Sequence, residues 1–157
     1  MISWAVVAAT LLLTPVPFDS YPGEAGLTGA PIAPQLDSPR ARKYRTVLKE
    51  GAQRGPNFNG HYRVVHWGCG TNCIEWAVVD FGSGRVWFAP DPVLSCSSAD
   101  EPADAKVPDW FEIRLNSRLL GLNDCAAGYP RQTFNRQTLY EWQNGAMRRV
   151  IARPTGR

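Results

Sequence analysis

Apolar residues are densest between positions 61 and 81, where two runs rich in β-branched and aromatic side chains flank Gly70-Thr71-Asn72. That pattern predicts a β-hairpin. With those three residues as the loop, Cys69 faces Cys73, and Val64, His66 and Tyr62 pair with Val78, Trp76 and Asp80 on one face. Val65, Trp67, Ala77 and Val79 occupy the other. Neither face is polar, so the hairpin is expected at the centre of its sheet and covered on both sides. Gly82-Ser83-Gly84 suits a three-residue loop leading to a third strand over residues 85–89, with Val86 and Phe88 on the face of Val78.

Upstream, Ser38-Pro39 reads as an N-cap followed by proline at the first helical position. One amphipathic helix is expected over residues 39–53. Tyr44, Val47 and Leu48 lie on its buried stripe, and Arg40, Arg42, Lys43 and Lys49 are solvated. Gly55-Pro56 ends it. Downstream, residues 110–115 alternate, with Phe111, Ile113 and Leu115 inward and Glu112 and Arg114 outward. Residues 118–122 return, and a last hairpin turns on Asn144-Gly145, the strongest two-residue turn signal. The fold class is therefore mostly β: an antiparallel meander of about seven strands with one N-terminal helix. A curved sheet, a small barrel and a sandwich remain open.

Residues 2–13 are almost wholly apolar, too few to span a bilayer, and prolines follow. They read as the core of a secretory signal peptide, although no Lys or Arg precedes them and no small-x-small cleavage motif follows. A misplaced start codon is the alternative. The expected organisation is a signal peptide at residues 1–25, a flexible Pro/Gly/Ala lead-in at 26–37, and a single domain at 38–157. After signal removal no stable membrane insertion is expected, and the compartment is periplasmic or secreted.

Composition narrows the partners. The net charge of +3 is spread over scattered arginines, so no nucleic-acid partner is expected. Four cysteines behind a signal-like start predict two disulfides, with three connectivities open. Proximity favours Cys69–Cys73, leaving Cys96–Cys125 to join two long loops. No second close Cys or His pair completes a metal site beside Cys69 and Cys73, so neither metal nor cofactor is expected.

Four blocks resemble a known group: Asn57-Phe58-Asn59-Gly60-His61-Tyr62; residues 67–73; Val79-Asp80 with Gly84-Arg85-Val86; and residues 114–120. They are similar to blocks in small exported bacterial proteins of unassigned function, over residues 44–151. Residues 67–73 are the most specific part. The resemblance implies export and one folding unit, and it implies no catalytic residue.

The chemistry-bearing candidates are few. His61 and His66 are the only histidines, and Tyr62, Glu75 and Asp80 are the polar groups nearest them. No nucleophile elbow or phosphate-binding glycine loop is present in the sequence. Glu112 and Glu141 could serve as a carboxylate pair, but any β protein offers such pairs by chance. The candidate functional surface is His61, Tyr62, His66, Trp67, Trp76 and Asp80. It is read as part of a non-catalytic exported binding module, of inhibitor or immunity type, meeting an envelope protein or polymer. The alternative is a hydrolase acting on an envelope polymer through a histidine or carboxylate.

Overall fold

The structure is a computed structural model that describes residues 18–70, 73–94, 110–124 and 136–154. Among these residues, eight antiparallel strands form two open four-stranded sheets. The first contains β1 (Tyr62–Gly70), β2 (Cys73–Asp80), β3 (Val86–Phe88) and the two-residue β4 (Val93–Leu94), with β2 central. The second runs in chain order through β5 (Phe111–Ile113), β6 (Leu119–Asp124), β7 (Arg136–Gln143) and β8 (Ala146–Pro154). The mostly-β meander with a small helical part is therefore the fold.

The central hairpin has the expected register, Tyr62 opposite Asp80, Val64 opposite Val78 and His66 opposite Trp76. Both of its faces are covered. Tyr62, Val64, Trp76 and Val78 pack against Phe111, Leu120, Leu122 and Trp142 of the second sheet. Val65, Ala77 and Val79 pack against Ala41 and Leu48 of the helical layer. Alternation thus supplies two cores from one hairpin, because successive side chains point to opposite faces.

Five local readings are corrected. Cys69 does not sit opposite Cys73: a bulge follows Gly68, so Gly70 pairs with Cys73. The second turn is four residues long, with the Gly84 amide donating to the Asp80 carbonyl and Asp80 and Arg85 bonded across it. One extra loop residue slips the register by one and exchanges faces. Trp87 therefore lies opposite Val78, while Val86 and Phe88 lie opposite Val79 and Ala77. The helix is also broken, into α1 (Pro39–Lys43) and α2 (Arg45–Ala52). Tyr44 leaves helical geometry between them, at φ −100° and ψ 20°, and its ring lies 4.6 Å from that of Trp67. Arg40 is not simply solvated either. It donates to the Ala89 carbonyl, lies over the Phe88 ring and approaches Glu75 at 3.6 Å. Ser38 caps α1 as expected, accepting from the Ala41 amide. Leu115, expected inward, is half exposed because β5 ends at Ile113.

Residues 18–37, read from the sequence as lying outside the folding unit, are packed against it as a strap. Phe18 is buried against Leu119 and Leu139, on the face of the second sheet turned away from the first. The buried Ser117 hydroxyl sits 3.0 and 2.8 Å from the Phe18 and Tyr21 carbonyls. The Gly23 amide donates to Asn116, and further on Ile32 and Gln35 donate to the carbonyls of Phe81 and Gly84. Leu27 and Leu36 then join the helical-side core. Pro- and Gly-rich composition here serves an extended path that follows surface grooves without forming a strand of its own.

Candidate functional site

The strap, the start of β1 and the end of β2 meet in one polar cluster. Asn57-Phe58-Asn59-Gly60 turns sharply ahead of β1, with φ of 44° at Asn59 and 79° at Gly60. This turn buries the Asn59 side chain completely. Its amide nitrogen donates to Glu24 Oε1 at 3.0 Å, and its oxygen accepts from the Glu24 backbone amide at 2.8 Å. Tyr62 donates to the other Glu24 oxygen at 3.2 Å and accepts from the Trp142 indole. Burial, with the Glu24 and Asp80 charges behind it, pushes the Tyr62 hydroxyl up to about 12. Tyr62 is therefore a fixed donor, not a nucleophile.

His61 stands beside this network. Its Nδ1–H donates to the Ala25 carbonyl at 3.0 Å, and its Nε2 lies 3.4 Å from Asp80 Oδ1 and 3.8 Å from Glu24 Oε2. Asp80 is itself held by the Gly82 amide and the Ser83 hydroxyl. Both ring nitrogens face acceptors of the protein's own, which suits a positioning role better than that of a base needing a lone pair free for substrate.

Next to the cluster is a cavity of about 150 Å³. Tyr62, Trp87 and Trp142 form aromatic walls, Val78 and Val86 supply apolar surface, and Asp80 and Arg85 supply charge. Trp87 and Trp142 meet edge to face, 5.9 Å between centroids, across the space between the two sheets. The Arg85 side chain is exposed and has no hydrogen-bond or ion-pair partner among the described residues. Arg85 appeared in the sequence only as part of a block, and Glu24 and Trp142 were not singled out. The Asn-Gly turn before His61 was the one available signal that something must approach closely there.

The expected surface residues do not form one patch. His61, Tyr62 and Asp80 are together. Trp76 is buried at 3% exposure in the inter-sheet core, so it presents no surface. His66 is exposed but lies apart from them, with its ring stacked on Phe111 at 5.2 Å. Trp67 is on the helical side, donating to Glu75 at 3.0 Å. Glu112 and Glu141, the notional carboxylate pair, are each bonded to an arginine, Arg114 at 2.9 Å and Arg118 at 2.7 Å. Cys69 and Cys73 form a disulfide with Cα atoms 5.1 Å apart. The Cys96–Cys125 pairing falls outside the described residues. Among the described residues no group of three His, Cys, Asp or Glu side chains is placed to hold a metal ion. No helix among them is long and apolar enough to cross a membrane.

Glu75 carries a prediction of its own. A hydrogen bond from the Tyr44 hydroxyl, helped by Trp67, Arg40 and Lys43, holds its carboxyl below the usual value against an opposing burial cost. A depressed folded-state value means stability that is present above the ordinary glutamate range and lost as pH falls through it. Glu75→Gln should therefore flatten the acid limb of a melting-temperature profile between about pH 5 and 3. An unchanged slope would show that Glu75 does not couple the helices to the sheet.

Compared with known proteins, the chain matches no family model, no curated protein and no solved structure, so the site is read from its own geometry.

Proposed function

We infer that the protein is an exported binding module that takes one projecting group of an envelope protein or polymer into the cavity between Trp87, Trp142 and Tyr62. The observation that carries this is the Arg85 guanidinium, unpartnered beside aromatic walls while its acidic neighbour Asp80 is already tied into a turn. Aromatic walls provide area at little entropic cost, and an arginine at the rim gives orientation to an acceptor group. The Cys69–Cys73 disulfide supports the export part of the reading, since such bonds persist in oxidising compartments. An inhibitor or immunity role is the form this takes when the partner is an envelope enzyme.

Arg85→Ala should weaken binding of soluble envelope-polymer fragments or of the captured partner about tenfold, one charge-assisted contact's worth. The melting temperature should not change, because Arg85 is exposed. Tryptophan fluorescence reads the titration, as Trp87 and Trp142 line the cavity. Equal affinity in the variant would remove the cavity from the binding surface.

The hydrolase reading has one observation in its favour, the 3.4 Å approach of His61 Nε2 to Asp80 Oδ1. Polymer hydrolysis by the wild type that is abolished in a well-folded His61→Gln variant would establish it over the binding reading.

A further inference from the structure

A second cavity, of about 120 Å³, lies at the outer edge of β1 where α2 crosses it. Its walls are Val47, Val64 and Val65, and its polar lining is Arg54, Arg63, His66 and Glu50. The helix is pressed onto the strand here: a Cβ on Gly51 would lie 2.7 Å from a Val65 methyl. That close approach holds the cavity's two sides at a fixed spacing.

The cationic groups are set, not merely nearby. Arg63 is anchored by donation to the Gly55 carbonyl at 2.6 Å, which leaves its remaining N–H groups uncommitted. Gly55 can present that carbonyl because it adopts φ 74° past the end of α2. The His66 ring is fixed by its stack on Phe111, and neither ring nitrogen has a partner among the described residues. The Arg54 side chain likewise has no hydrogen bond or ion pair among them; only its backbone amide is bonded, to the Gly51 carbonyl. The backbone adds to this edge. Tyr62 and Val64 turn their amides outward, onto the Phe58 carbonyl and the Asn57 side chain, and Trp76 spends its carbonyl on Ala89. By the same alternation the His66 amide also faces outward, towards this edge.

We propose that this edge cavity binds a tetrahedral oxyanion of the phosphate class, held between the Arg54 and Arg63 guanidiniums and the His66 ring. Glu50 at the rim is the one acid lining it, and it opposes binding. Positive charge is felt within this cavity, second to burial. Burial and then Arg54 lower the Arg63 value; for His66, whose outer side is exposed, the covering of its ring by Phe111 and neighbouring atoms comes first and the Arg54 and Arg63 charges follow. A bound anion reverses the sign of that field at His66. The site is separate from the aromatic cavity and does not depend on its function.

The chain's only other histidine, His61, makes a built-in control. Inorganic phosphate, added at constant ionic strength against sodium chloride, should shift the His66 ring resonances saturably and raise their titration midpoint. His61 should stay in place. Sulfate, which does not titrate in this range, should reproduce the shift. Arg54→Gln should weaken the effect at least tenfold, and Glu50→Gln should strengthen it. Both residues are exposed, so both variants are expected to fold. Glycerol phosphate acting as well as phosphate would assign the site to a phosphate ester, and phosphate acting alone to the free ion. Parallel, non-saturating shifts of both histidines would overturn the proposal, as would undiminished affinity in Arg54→Gln.

Discussion

Replacing Gly60 by alanine should cost about 3–5 kcal/mol, a large part of the stability of a domain this size. Two effects add. The residue sits at φ 79°, where a Cβ is strained whatever the space around it. The added carbon would also overlap the Glu24 carbonyl oxygen and lie 2.7 Å from that of Ala25. Nothing can yield easily, since both obstacles are backbone and Gly60 is itself held by its amide, which donates to the Leu115 carbonyl at 2.6 Å. The strap would have to lift, uncovering the buried Asn59 and breaking its paired hydrogen bonds to Glu24. Thermal melts of the variant and of Gly55→Ala separate the causes. Gly55 also has a positive φ, but nothing lies within 4 Å of its added Cβ. If the two variants melt alike, the strap's contact with Gly60 contributes nothing.

Removing the first part of the strap should be at least as damaging. A chain of residues 26–157 lacks Phe18, Tyr21 and Glu24, whereas a chain of residues 18–157 keeps them. Losing a buried phenylalanine costs about 3–5 kcal/mol. Leaving the buried Ser117 hydroxyl without an acceptor and the Asn59 side chain without partners adds about 1–3 kcal/mol each. The shorter chain is therefore expected to unfold at or near ambient temperature, and the longer one to melt cooperatively. Coincident melts would show the strap to be dispensable.

The parts legible in the sequence were those with a period. The hairpin's register followed from alternating Val, Trp and Ala positions, because shifting it by one would have put every core residue on the wrong face. The Asn144-Gly145 turn was equally plain, and both residues take positive φ, at 51° and 78°. The third strand was misassigned for a local reason: Phe81 looks like the last residue of a strand but is the first of a four-residue turn, buried against the helical layer. The strap was illegible in a deeper sense. It has no period, its prolines and glycines resemble those of a linker, and the contacts that hold it to the sheets are with distant segments. Glu24 carries no mark in the sequence of its bond to Asn59, 35 residues away. The candidate site, which needs both, could be only half seen.

The strap also sets an order of events. Its phenylalanine docks on strands more than ninety residues later, through a serine separated from it by 99 positions. Phe18 therefore cannot dock until β6 and β7 exist. Closing so long a loop is entropically the slow kind of contact, made after local hairpins have formed. The strap is thus the last piece to find its place, and until then the outer face of the second sheet stays bare. The piece that seals the fold therefore cannot close it early.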